Sequence, residues 1–295
     1  MTGISTSEWL ALGSAFLWAL NGTIIRSQSA KISPASINAI RCGASAVLFW
    51  LIIPFDTPEY SLSVIPWIDW FWLFASVITN IVIGDTFYLV ALKELGVSRS
   101  LALSGTFPLT TLLFEYFVLG SAPDKNLAFG AFLVVVGVAL LSQRSASVDE
   151  ITTGGRTRIG IAFALGASIL WGLGVVLLKP ALMHVSLIQA NSVRMPLVVV
   201  LLFAFRILPV RKMSTDRLDF RTFAIIAASG VLGMGLGSWM FLAAVVDIGP
   251  ARTATLTSIY PVFGLVLAVL FLKERLSVSM AFGVAACVMG VWVVV

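Results

Sequence analysis

Ala11-Leu12-Gly13-Ser14-Ala15-Phe16-Leu17-Trp18 returns 153 residues later as Ala164-Leu165-Gly166-Ala167-Ser168-Ile169-Leu170-Trp171. The same offset carries Asn38 onto Asn191, Arg41 onto Arg194, Gly84 onto Gly237, Gly96 onto Gly249, Arg99 onto Arg252 and Pro108 onto Pro261. It also carries Ala128-Phe129-Gly130 onto Ala281-Phe282-Gly283 and Gly137 onto Gly290, with no insertion. Apolar matches are cheap in so hydrophobic a chain. Paired Arg, Pro, Trp and Asn at one constant offset are not, and they mark an internal repeat.

The 295 residues are 59% hydrophobic and 11% charged, where a soluble domain carries about a quarter charged residues. The charges cluster between apolar runs of roughly 17–25 residues, the length that crosses about 30 Å of hydrocarbon. Ten spans are predicted: Trp9–Ser27, Ala35–Ile53, Trp67–Leu92, Ser98–Leu119, Asn126–Ser142, Ile159–Leu178, Leu187–Ile207, Thr222–Val246, Ala251–Leu272 and Ser277–Val295. The runs are continuously apolar rather than alternating, which favours helices over a barrel. No cleavable signal peptide is expected, because the first run lacks a basic flank and is long enough to span.

Five spans per copy is an odd number, so the second copy enters the membrane from the opposite side. The expected fold is an all-α membrane protein of ten transmembrane helices, arranged as two five-helix inverted-topology repeats. Residues 1–142 form the first repeat, 143–158 a connecting link and 159–295 the second repeat. Secondary transporters use this symmetry because one helix arrangement can then open to either face.

Links one–two, three–four, five–six, seven–eight and nine–ten share one face. They hold fourteen Lys and Arg, against Lys125, Lys179 and Arg252 on the face of the termini. The positive-inside rule puts the richer face in the cytoplasm and both termini outside. The net charge of +5 is explained by topology, with no basic patch for nucleic acid. Cys42 and Cys287 lie in apolar runs and read as packing residues, neither a disulfide framework nor a metal site. His184 is the only histidine. No nucleophile elbow, phosphate loop or paired metal ligands are found, so neither an enzyme nor a cofactor or metal is expected.

Ala91-Leu92-Lys93-Glu94-Leu95-Gly96-Val97-Ser98-Arg99 with Thr106-Phe107-Pro108 resembles the third-to-fourth helix signature of EamA-type transporters, in the drug/metabolite transporter superfamily. Ile248-Gly249-Pro250-Ala251-Arg252, Tyr260-Pro261-Val262-Phe263 and Leu272-Lys273-Glu274-Arg275-Leu276 resemble that family's ninth-to-tenth helix pattern. The resemblance covers nearly the whole chain. It implies ten helices around a central cavity, alternating access and a multi-pass protein of the plasma or inner membrane. It also implies both termini inside, against the charge count. Family members export amino acids and other metabolites; relatives move choline, sugar phosphates or nucleosides. The pattern is broken where Gly120-Ser121-Ala122 stands opposite Lys273-Glu274-Arg275, which reads as an interfacial corner.

Ionisable residues inside spans each need a reason, at about 2.5–3.5 kcal/mol or more apiece. Arg41 and Asp85 have matched depths from one face and could pair; Arg194 and Glu115 could form a second pair, less well matched in depth. The arginines are symmetric, but Asp85 faces Ser238 and Glu115 faces Ala268 under the offset. A guanidinium suits a substrate carboxylate or phosphate, while snorkelling or a structural ion pair is the competing reading. Asp85 reads as an amine or proton site or as a structural counter-ion, and Glu115 as interfacial.

The substrate-binding candidates are Trp18, Asn21, Asn38, Arg41, Asp85, Tyr88, Trp171, Asn191, Arg194, Trp239 and Tyr260. The aromatics among them would give an apolar wall with few polar handles. Pro108 and Pro261 are expected to kink spans four and nine and to act in gating or in helix shaping. Gly230, Gly233 and Gly237 read as close helix packing. The expected function is secondary active transport of a small polar metabolite, with amino-acid export first and another solute class as the alternative. The expected partners are a small-molecule substrate and the lipid bilayer, with proton or counter-solute coupling open and a monomer compatible. A membrane enzyme or a scaffold subunit is the rival class.

Overall fold

The computed structural model describes residues 4–28, 34–95, 97–122, 124–142, 157–207, 219–272 and 277–295. The inter-repeat link at 143–156, the link at 208–218 and the corner at 273–276 lie outside the described residues. Every regular element among the described residues is helical.

Ten helical segments follow one another in the predicted order. The first is Thr6–Gln28 and the second Pro34–Ile52. The third is composite: Trp67–Val77, a π-helical turn at Ile78–Gly84, then Asp85–Leu95. The fourth is broken into Val97–Ser104 and Phe107–Leu119, and the fifth is Lys125–Ser142. The second repeat copies this plan. Spans six and seven are Thr157–Ala181 and Leu187–Ile207. Span eight is Phe220–Gly230, a π-helical turn at Val231–Gly237, then Ser238–Ile248. Span nine is Pro250–Thr257 and Tyr260–Leu272, and span ten Val278–Val294. Among the described residues, seven helices are long and apolar enough to cross a membrane on their own. The tenth span, at 17 residues, is about 25 Å long.

Both π turns and both breaks recur at the 153-residue offset. The sequence placed the prolines in kinks about ten residues into spans four and nine. The structure places each at the second residue of a restarted helix, after Gly105-Thr106 or Ser258-Ile259. Proline costs little there, because the first turn has no intrahelical partner for its missing N–H.

Spans five and ten cross on the pseudo-two-fold axis. A Cβ added to Gly130 would lie 2.7 Å from the carbonyl oxygen of Gly290, and one on Gly290 2.7 Å from that of Gly130. Gly137 and Gly283 approach each other in the same reciprocal way. Between them, Cys287 Sγ reaches the carbonyl of Val134, its own symmetry mate, at 3.7 Å. Backbones this close tolerate only small residues. The core on this side joins spans one, five, eight, nine and ten through Ala15, Val138, Ala244, Leu256 and Cys287. A second cluster, with Leu73, Leu178 and Leu242, joins spans three, six and eight.

Candidate functional site

Each π turn ends in a glycine that a tryptophan covers. A Cβ on Gly84 would stand 2.8 Å from Trp171 Cδ1, and one on Gly237 3.1 Å from Trp18 Nε1. The next residue is Asp85 in the first copy and Ser238 in the second. Trp171 Nε1 donates to Asp85 Oδ1 at 2.9 Å, whereas Trp18 Nε1 donates to the carbonyl of Gly233 at 3.1 Å. Trp171 also packs against Tyr88 with ring centroids 5.1 Å apart; Trp18 packs against Phe241, the symmetry mate of Tyr88, at 5.2 Å. A π turn widens the helix by one residue and recurs at functional sites. Here it seats an indole against a glycine on each side of the symmetry axis.

The two copies of the site differ in exposure. Asn191, Arg194, Ser238 and Phe241 are all buried, Arg194 at 5% exposure. Their mates Asn38, Arg41, Asp85 and Tyr88 are all partly exposed. In the buried copy, Ser238 Oγ donates to Asn191 Oδ1 at 3.0 Å and Arg194 Nη1 to the same oxygen at 3.3 Å. In the exposed copy, Asn38 Oδ1 accepts, among the described residues, only the weak thiol of Cys42 at 3.8 Å. The Nε atoms of Arg41 and Arg194 are buried without a hydrogen-bond partner. Arg41 and Asp85 lie within electrostatic reach of each other and of Cys42.

Neither ion pair that matched depth allows is formed among the described residues. Asp85 takes the indole of Trp171 in place of Arg41. Glu115 Oε2 accepts the backbone N–H of Ala251 at 2.7 Å, capping the first turn of span nine, while Arg194 goes to Asn191. The physical reason is local. Gly249, at φ +83°, and Pro250 start that helix with its N–H groups exposed, and a carboxylate from span four satisfies one of them.

Asn21 packs between spans one and eight. It is 3% exposed, and a Cβ on Gly233 would fall 2.2 Å from its Nδ2. The offset maps this contact onto Gly174 and Asn80 with the two residue types exchanged, and a Cβ on Gly174 would fall 2.6 Å from Asn80 Cβ. Spans one and eight, and spans six and three, thus meet at one Asn and one Gly each. Asn80 was not among the sequence candidates. The exchanged Asn and Gly at the constant offset were its only signal. Trp239 packs against the apolar cluster around Cys42 and Val77. Tyr260 lies near Tyr88 and flanks the core of spans one, five and nine. Phe107, which precedes Pro108, stands edge-on to Trp171 at 6.1 Å.

The face of the termini is held by polar links between spans. Arg252 Nη1 lies 3.5 Å from Glu8 Oε1, and Ser7 Oγ donates to Asp247 Oδ2 at 2.6 Å. Lys179 Nζ donates to the carbonyl of Val246. His184 Nδ1 meets Asp69 Oδ2 at 2.7 Å. On this face Phe107–Leu119 packs along Pro250–Thr257; the equivalent pair on the opposite face, Val97–Ser104 and Tyr260–Leu272, does not pack in this way among the described residues. The exposed half-site lies toward that opposite face and the buried half-site toward the termini.

The profile of the EamA-like transporter family matches residues 5–143 and again 158–295. The chain is 26% identical over 282 residues to an uncharacterized transporter of Archaeoglobus fulgidus, covering 96% of this chain and 95% of the relative. It is 24% identical over 180 residues to an uncharacterized transporter of Clostridium kluyveri, covering 61% and 57%. A solved crystal structure of a protein shares the fold with a TM-score of 0.78 at 17% identity, covering 99% of this chain and 98% of that one.

Proposed function

The chain belongs to the EamA-like transporter family and is a multi-pass membrane transport protein, and on that premise we propose that it exports a small polar metabolite, an amino acid first, by alternating access. The observation that carries this reading is the inequality of the two half-sites. Equivalent positions are partly exposed in one copy and buried in the other, as one state of a two-state carrier requires. Arg41, with an unpartnered Nε, supplies a fork for a carboxylate. Asp85, within its field, supplies an acceptor for an ammonium group, and Trp171 and Tyr88 supply apolar walls. Such a set fits a zwitterion.

The protein resides in the plasma or inner membrane, with the Lys/Arg-rich face in the cytoplasm. The exposed half-site then faces the cytoplasm, the side from which an exporter loads. A proton or counter-solute gradient supplies the drive. The test is counterflow in liposomes containing the purified protein, using labelled amino acids, nucleosides, sugar phosphates and choline-like amines. Saturable exchange of amino acids supports the reading. Exchange confined to another class moves the substrate, and no exchange of any class refutes transport of this kind.

A further inference from the structure

The half-sites hold equivalent positions in two different packings, and their one charged difference has a use. In the buried copy, Ser238 and Arg194 both donate to Asn191 Oδ1. In the exposed copy Asp85 stands where Ser238 would be, and its carboxylate accepts the Trp171 indole N–H instead of bonding Asn38 or Arg41. The indoles differ in the same sense, since Trp18 donates to a backbone carbonyl in the buried copy.

Inverted repeats generate the second state by exchanging the packings of the two halves. Applying the 153-residue offset to each contact gives that state explicitly. Trp171 moves to the carbonyl of Asn80, whose side chain already lies 3.5 Å from the Trp171 carbonyl. Trp18 moves to the Ser238 hydroxyl. Asp85, released, takes the amide of Asn38, whose oxygen receives Arg41 Nη1, so the carboxylate comes to stand beside the guanidinium.

From this we infer that Asp85 discharges Arg41: in the present state the guanidinium holds an anionic group of the solute, carboxylate or phosphate, and in the opposite state the Asp85 carboxylate leaves Trp171 for Arg41 and displaces it. The inference rests on the alternating-access reading above. The competition is direct, because both anions need the same planar set of N–H donors. Only the first copy has a competing charge. Ser238 is neutral and leaves Arg194 without one, so the broken symmetry confines discharge to a single arginine.

The experiment uses the full chain with Cys42→Ala and Cys287→Ala, and with Leu112→Cys and Ala251→Cys as a reporter. Leu112 and Ala251 share the apolar cluster that joins spans four and nine at the face of the termini. A short thiol-reactive bridge then reads how long that face stays closed. In this parent the bridge forms readily. Trp171→Phe, which frees Asp85, slows bridging roughly five-fold or more, the margin by which a hydrogen bond to a charged group exceeds the neutral one that Trp171 makes in the opposite state. Adding Asp85→Asn or Arg41→Gln to Trp171→Phe restores the parent rate, and Trp18→Phe does not slow it. An unchanged rate in Trp171→Phe overturns the inference. So does a slow rate that Asp85→Asn fails to restore, because Trp171 would then act by packing alone. Failure of the underlying reading shows separately: a bridged protein that still transports at the unbridged rate refutes alternating access itself.

Discussion

The contact between Asn21 and Gly233 gives the most direct test of how the halves are fitted together. A Cβ at residue 233 would lie 2.2 Å from Asn21 Nδ2, 2.8 Å from Cγ and 3.2 Å from Cβ. All three are side-chain atoms of one residue, so Gly233→Ala forces Asn21 to move or the two spans to part. Overpacking of this kind costs about 1–3 kcal/mol, and the helix propensity of alanine over glycine returns roughly 1 kcal/mol. A net loss of up to about 2 kcal/mol should lower the apparent melting temperature of detergent-purified protein by a few degrees. The exchange Asn21→Gly with Gly233→Asn rebuilds the arrangement that Gly174 and Asn80 already have in the other half. It should recover most of the loss, while Gly233→Asn alone should be worse than Gly233→Ala. A higher melting temperature in Gly233→Ala, or a doubly exchanged protein no better than Gly233→Asn, would refute the account of this contact.

Four further outcomes are expected. Gly137→Leu places a side chain where even a Cβ falls 2.7 Å from the carbonyl of Gly283, so spans five and ten should part and the yield of monodisperse protein should collapse. Glu115→Ala removes the cap on Ala251 and should cost about 1–2 kcal/mol; Glu115→Gln, which keeps an acceptor, should cost less, as chemical unfolding would measure. Arg41→Ala should leave the fold intact and abolish counterflow, whereas Arg194→Ala strips the buried Asn191 of a donor and should lower stability by about 1–3 kcal/mol. A periplasm-dependent phosphatase fused after Val295 should be active if the charge count orients the chain correctly, and inactive if the termini lie inside.

The number of spans, their order and the symmetry that relates them are written in the order of the residues. Hydropathy follows from composition along one dimension, and a constant offset survives in the chain whatever its packing. The paired arginines, asparagines, prolines and tryptophans were all legible for that reason. Equivalence of position does not say which of two packings each half adopts, and that choice came from tertiary structure alone. Only there does Asp85 turn to Trp171 while Ser238 turns to Asn191. The π turns at Ile78–Gly84 and Val231–Gly237 were likewise invisible, because a widened turn keeps the same apolar pattern and shows itself only in the backbone. Depth along a span, which the sequence supplies, put Arg41 beside Asp85 and Arg194 beside Glu115. Rotation about the span, which it does not supply, decided their partners. A carboxylate in a membrane goes to the nearest unsatisfied donor, and for these two acids that donor was an indole and a helix N-terminus.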